Sequence, residues 1–566
     1  MKVLLIQPPV QDFYDTDIRL QPLGLAYLKA IARKFLPEIE VKVCDFHQGY
    51  PKKTISLPKE FSYLRHYWQL PDKSPFAGFF HYYHFGADFE TIAEYVHREK
   101  PDLVGISSLF SPYYREVIAT ARAIRQKTKV PILLGGSHVS AMPEFMLRFE
   151  EIDYVIVGEG EKPFVEFLRY FFYGKAIEEV PNLGYKRDGR IYFTRQEENY
   201  PLDIIPPPDF SDLRAHNYTL SGKKLAFVIT SRSCPHRCSF CSVHTTFGMT
   251  YRRRKTSDVF AEIKALVEQG YKIIDFEDDN LTFYKKEFKE LCYKLKDSFS
   301  NRDVSFVAMN GISYLSLDDE MLGLMKEARF THLNLSLVSS NQTVLRTTKR
   351  PHTVAKYLQV VEQAWKLGFK IISYQILGLP FESLESMVQT LVFHARLPVL
   401  LGPSLFYLTP NSPLAHEMPA YHGIDPIYAR GSAMAVETPY VNRRELYTLF
   451  LANRILNFLK GLNLTHMAKL SHVIVNPPSG KASLGLMLLQ HFLAHGELLA
   501  YTDKGFIALK NYCAELLRNI LEKTKYIRTR DGSYLYLDLR EIRNSAIPFL
   551  EKKDIALEKN GRANLK

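Results

Sequence analysis

Short apolar runs that do not alternate with polar residues recur along this chain, separated by amphipathic helical stretches, and the pattern is laid down twice. In residues 1–200 the order is KVLLIQP, LGLAYLKAIARKF, VKVCDF, DLVGISS, REVIATARAIRQK, PILLGG and DYVIVGEG. A strand that is apolar on both sides must be covered on both sides, so the pattern predicts a doubly wound parallel α/β domain. Ligands on such a sheet collect at the carboxyl ends of the strands. Those ends carry small residues here: Ser107 and Ser108, then Gly135, Gly136 and Ser137, then Gly158, Glu159 and Gly160. An insert rich in Tyr, Phe and His, from about 48 to 100, is expected either to cap a pocket or to pack.

The second alternation runs from about 221 to 410, with candidate strands KLAFVIT, KIIDFE, VSFVAM, HLNLSL, KIISYQIL and PSLFYL. Six β–α steps predict a partial (β/α)6 barrel of TIM type, with its chemistry on the loops after the strands. PLDIIPPP, residues 201–208, reads as the connection between the two parts, because proline favours an extended chain. The expected division is 1–200, 201–425 and a mostly helical 426–566, whose segment ELYTLFLANRILNFLK is expected to cap the barrel.

At 566 residues the chain exceeds what one core organises, in keeping with several domains. The net charge of +12 is scattered, with only Arg252–Lys255 forming a tight run, so a nucleic-acid partner is not expected. Of six cysteines, three fall within eight positions, which points to a metal site in a reducing compartment, with a cytoplasmic location as the default. The apolar run at 484–499 is broken by Gln490, His491, His495 and Glu497, and no transmembrane segment is expected.

The three clustered cysteines are Cys234, Cys238 and Cys241, in SCPHRCSFC, on the loop after the first barrel strand. Three thiolates on one loop can hold a [4Fe–4S] cube and leave one iron open, whereas structural zinc closes its tetrahedron with four ligands. His236 or His244 remains available as a fourth zinc ligand.

CPHRCSFC after a barrel strand resembles the radical S-adenosylmethionine (SAM) superfamily motif, with Phe240 in its aromatic place. The resemblance implies that the open iron binds SAM and that one electron, from a donor such as flavodoxin or ferredoxin, splits it to a 5′-deoxyadenosyl radical. EDDN, at Glu277, Asp278, Asp279 and Asn280, stands where that family places Gly-Gly-Glu or acidic residues against the SAM ammonium; which acid does so stays open. Asn310, Ser336 and Gln375 are further candidate SAM contacts. GLPFES at 378–383 and PNSPL at 410–414 resemble turns of the same barrels. Arg252, Arg253 and Arg254 either salt-bridge the barrel or meet an anionic cofactor group.

The first domain, with QPLGLAYL, GGSHVSAMPE and VGEGEKPF, resembles the Rossmann-like cobalamin-binding domain fused to many radical SAM proteins. Its glycines would let a corrin approach the backbone, and its serines offer hydroxyls to the nucleotide tail. Families that ligate cobalt through histidine carry Asp-x-His-x-x-Gly after the first strand; Gln7-Pro8-Pro9 has no histidine, His47 reads as a polar loop residue, and His138 is a weak candidate for a lower-face contact. The resemblance implies a cobalamin-dependent methyltransferase for an unactivated carbon, acting on a small-molecule or lipid-like substrate. A radical cyclase, ring-contracting or oxidative enzyme of the same architecture is the rival, and a cobalamin sensor with a structural cluster is the alternative outside enzymes.

Overall fold

The computed structural model describes residues 1–14, 21–464 and 467–544. Strands Lys2–Gln7, Glu40–Asp45, Leu103–Ser107, Ile132–Gly135 and Tyr154–Ile156 form a parallel sheet, extended by the antiparallel pair Leu183–Arg187 and Arg190–Phe193. In space the parallel part runs second, first, third, fourth, fifth, so the winding reverses between Lys2–Gln7 and Leu103–Ser107. A ligand crevice opens at such a reversal. Successive residues of the first strand serve opposite cores: Val3 and Leu5 pack with helix Leu23–Phe35 on one face, while Leu4 and Ile6 pack with helices Phe89–Glu99 and Tyr114–Lys127 on the other. Helix Phe89–Glu99 is the crossover into the third strand, so the irregular insert ends near Asp88 rather than at 100.

That insert is a three-stranded antiparallel sheet, Val10–Asp12, Tyr82–Phe85 and Lys53–Ile55, with a turn of 3₁₀ helix at Lys59–His66. Its aromatic face is packing. Trp68 stands edge-on to Tyr447 and Phe450, with ring centroids 5.3 and 5.4 Å apart, and donates its indole N–H to Ser432 O at 3.1 Å. One continuous core joins the first domain, the insert and the carboxyl-terminal helices.

The barrel strands are Lys223–Val228, Ile273–Phe276, Ser305–Val307, His332–Val338, Lys370–Leu377 and Leu400–Leu405. The last begins at Leu400, three residues before PSLFYL, because an edge strand tolerates Pro403 within it; Phe406–Leu408 is therefore loop. Its free edge is closed by helix Arg443–Lys460, where the Asn457 side chain accepts from Leu401 N at 2.9 Å and donates to Leu401 O at 2.7 Å. At the other edge, Leu23, Tyr27, Leu202 and Ile205 pack on Leu225, Phe227 and Ile273, so the proline-rich connection is built into the interface between the two domains. The carboxyl-terminal region is mostly helical but adds the hairpin Leu499–Thr502 with Gly505–Ala508 and the small sheet Met467–Lys469, Tyr534–Tyr536, Tyr526–Arg528. No described helix is long and apolar enough to cross a membrane.

Candidate active site

The cysteine loop leaves the barrel at Thr230 and is pinned there by Asp278, at the end of the second strand. The Asp278 carboxylate accepts from Thr230 N at 3.0 Å, Thr230 Oγ1 at 2.7 Å and the Ser231 hydroxyl. Ser231–Arg232 then pairs antiparallel with Arg252–Arg253, and Ser233 turns the chain with φ +73°. Beyond the turn, Ser239 N donates to Thr348 O at 3.0 Å and Ser239 O accepts from Leu414 N at 2.8 Å, so loops of three other barrel steps, counting Asp278, fix where the thiols lie.

Two sulfurs have donors aimed at them: Asn280 Nδ2 lies 3.6 Å from Cys234 Sγ and Arg350 Nη1 lies 3.8 Å from Cys238 Sγ. Burial pushes the Cys234 thiol up and the Cys241 thiol up to about 12. Thiolates there call for compensating positive charge, which iron provides. Of the histidines open as a fourth zinc ligand, His244 Nε2 is 2.7 Å from Cys234 O and His236 packs edge-on against His352. The donor set fits an iron–sulfur cluster held at three corners.

The adjacent acids divide. Asp278 is fully engaged with the loop, while the neighbouring Asp279 is pushed up to about 7 by burial, then by the Asp278 charge, and lies close enough to Cys234 and Cys241 to perturb both. Glu277 N donates to Val228 O at 3.0 Å, which keeps the strands in register. Asn310 Nδ2 reaches Asp278 O at 3.5 Å, and Ser336 O accepts from Arg350 Nη2 at 2.5 Å. Gln375 is 0% exposed with neither amide atom bonded, and Asn334 Oδ1 and Asn280 Oδ1 are likewise unpartnered. An orphaned buried amide costs about 1–3 kcal/mol, so these groups suit a polar ligand in the barrel. Phe240 is half-buried against the apolar cluster that contains Leu345, Leu379 and Phe406. Tyr407, beside Cys241, falls in the predicted strand PSLFYL but lies on the loop after the strand Leu400–Leu405, where it reaches the cysteine site.

The carboxyl ends of the first sheet face this loop. Helix Ser137–Ala141 packs on Val243–Phe247, which follows Cys241, and a side chain at Gly158 would stand 3.4 Å from Thr246 O. Gly136 has φ +120°, and a Cβ there would meet Ser108 O at 2.5 Å, so only glycine fits; above Gly135 there is open space. Ser107 lies beside Gly135 in the sheet register, and the buried Ser108 hydroxyl has no partner. His138 is buried against Tyr114 and Phe145, and burial lowers it to about 4, which keeps the ring neutral. Glu159 turns toward the barrel and pairs with Arg232 and Arg252, while Gly160 starts helix Glu161–Tyr173 against Leu28. Of the arginine run, Arg252 and Arg254 make ion pairs, with Glu159 and Glu262.

A doubly wound domain thus sets its ligand-binding strand ends against the open loops of a partial barrel. The radical SAM superfamily model matches residues 228–394 and the B12 binding domain model matches residues 77–168, so the chain carries the two domains of a cobalamin-binding radical SAM enzyme. Its cofactors are accordingly a [4Fe–4S] cluster, SAM and cobalamin. It is 27% identical over 407 residues to an uncharacterized methyltransferase of Pyrococcus horikoshii, covering 70% of this chain and 79% of that one. It is 26% identical to the cytidylyl-2-hydroxyethylphosphonate methyltransferase of Streptomyces wedmorensis, covering 68% and 75%. Among solved structures, the radical SAM methyltransferase TsrM of Kitasatospora setae, with cobalamin and [4Fe–4S] cluster bound, shares the fold at TM-score 0.57 and 16% identity, covering 76% of this chain and 81% of that one.

Proposed function

We propose that this enzyme methylates an unactivated carbon of a small or lipid-like substrate, in the crevice between Cys234–Cys241 and the loops at Ser108, Gly136 and Gly158. The observation that carries the reading is the packing of helix Ser137–Ala141 on helix Val243–Phe247, which brings the two sets of loop ends together. Similarity to methyltransferases along two thirds of the chain supports it. A cluster held by Cys234, Cys238 and Cys241 would supply the electron for reductive SAM cleavage, and cobalamin held at the Ser108, Gly136 and Gly158 loops would supply methyl-transfer chemistry.

The chain's residues then have distinct duties. Cys234, Cys238 and Cys241 hold the cluster, with Asn280 and Arg350 stabilising sulfur charge. Asp279 takes the SAM ammonium, since Asp278 has no capacity to spare; Asn310, Ser336, Gln375 and Phe240 line the rest of that pocket. Gly135, Gly136, Ser137 and Gly158 let the corrin and its tail approach the backbone, with Ser107 and Ser108 as hydroxyl donors. The exposed Leu109 and Phe110, at the reversal of the sheet, present an apolar wall that excludes water from the crevice.

Anaerobically reconstituted protein given dithionite and methyl-labelled SAM is expected to form 5′-deoxyadenosine, and to pass label to substrate in an extract of its source cells. Deoxyadenosine with an unlabelled product would move the reading to the cyclase class, which also has relatives here: an anaerobic magnesium-protoporphyrin IX monomethyl ester cyclase of Rubrivivax gelatinosus is 26% identical over 53% of the chain. Neither deoxyadenosine nor label, with the cluster verified, would favour the sensor.

A further inference from the structure

Arg232 stands two residues before Cys234, and both terminal nitrogens of its guanidinium are engaged by the other domain. Nη1 lies 2.5 Å from Glu159 Oε2 and Nη2 lies 2.5 Å from Glu161 Oε1; all three side chains are under a tenth exposed, at 8%, 8% and 6%. Arg252, paired with Arg232 across the short ribbon, contributes a second guanidinium to Glu159. Asn199 Nδ2 bridges the two carboxylates, at 3.0 Å from Glu159 Oε2 and 2.7 Å from Glu161 Oε2, and the Tyr27 ring lies under Arg232 with its centroid 5.6 Å away. Two cations thus meet two anions with an amide between the anions, a closed and neutral group with no charge left over for a ligand.

We propose that Arg232 is a positioning residue that sets the separation and orientation of the two cofactor sites, by clamping the root of the cysteine loop to Glu159 and Glu161 on either side of Gly160. The inference rests on the proposed function above for what occupies the two sites, but the clamp itself is a property of the chain. Surface ion pairs contribute little and move freely, whereas a buried fork between a planar guanidinium and two carboxylates has one geometry. Its position matters because hydrogen abstraction and methyl delivery would have to converge on one substrate carbon from two sites; displacement of reacting groups by about 1 Å costs on the order of 10²-fold in rate. The clamp grips the root of the cysteine loop and the turn that starts helix Glu161–Tyr173, beside the packing of helix Ser137–Ala141 on Val243–Phe247, while Leu23, Leu225 and Phe227 pack apolar side chains along the first barrel strand and carry no directional bond.

The test compares the full-length protein with Arg232→Lys, which keeps the charge and loses the fork, and with Glu161→Gln. In holoenzyme with cluster reduced and cobalt in its +2 form, the magnetic coupling between the two centres is read from line splitting in the EPR spectrum, which falls with the cube of their separation. The expected result is a changed or broadened splitting in both variants at unchanged iron and cobalt content; the parental splitting in both overturns the proposal. Amide exchange on the cofactor-free protein gives a second readout: residues 231–248 and 157–173 are expected to lose protection together, and unchanged protection also overturns it. A parental protein that carries no cobalt refutes the functional reading instead, and the exchange experiment still decides on the clamp.

Discussion

The pair Asp278 and Asp279 gives the sharpest test of how the site is built, because adjacent acids of the same type are assigned opposite duties. Replacing Asp278 by Ala removes an acceptor that serves Thr230 N, Thr230 Oγ1 and Ser231 Oγ, at a position 1% exposed. Three donors are then left in a site closed to water. At about 1–3 kcal/mol for each, less the desolvation of a buried carboxylate that is no longer needed, the net loss is about 3–5 kcal/mol. Burial pushes Asp278 up while Ser231, Thr230 and Arg253 pull it down, which places the answer toward the lower end of that range. For a cooperative unit of the barrel's size this lowers Tm by about 6–20 °C. Since the acceptor holds the root of the cysteine loop, iron retention after anaerobic reconstitution falls as well. Asp279→Asn is expected to leave Tm and iron content near the parental values and to abolish SAM-dependent perturbation of the reduced cluster's EPR signal. Full iron and an unchanged Tm in Asp278→Ala, or loss of the fold in Asp279→Asn, would refute the division of labour.

Other outcomes follow from single sites. Glu116, buried beside Arg430, is raised to about 7 chiefly by burial; its stabilising contribution is complete below about pH 4.5 and is lost as pH rises toward 7, so Glu116→Gln should exceed the parent by about 3 kcal/mol at pH 8 and match it at pH 4 in urea titrations. Lys460, 1% exposed, donates to Ala395 O, Leu397 O and Arg528 O at 3.0, 2.5 and 2.6 Å; Lys460→Met orphans these carbonyls and should cost about 2–5 kcal/mol, read as a lowered urea midpoint. Gly136→Ala drives a methyl group into Ser108 O at a backbone angle that disfavours alanine; we expect loss of bound corrin absorbance and about 1–3 kcal/mol of stability.

What the sequence disclosed was what has a short period. The five parallel strands of the first domain and five of the six barrel strands follow from apolar runs, and the three cysteines from spacing within one loop, whereas the antiparallel pair Leu183–Arg187 and Arg190–Phe193 and the strands of the insert carry no such run. Pairings across long separations stayed hidden: Glu159 lies 73 positions from Arg232, and small residues at a strand end pointed to a ligand when this one acid faced a guanidinium. EDDN could not be split by inspection, since a one-residue step along a loop decides which carboxylate meets backbone. The loop position of Tyr407 was concealed by Pro403, which made an edge strand look as if it started later.

The indole N–H of Trp68 finds its acceptor 364 residues downstream, in Ser432. A ribosome adding about 5–20 residues per second takes roughly 20–70 s to make that stretch, and for all of it Trp68, Phe76 and Phe79 lack the rings of Tyr447, Phe450 and Phe458 that cover them. Burial of that face of the insert therefore waits on the last quarter of the chain. A stop codon placed cleanly after the barrel would release a protein with a sticky aromatic flank, whatever its cysteines still held.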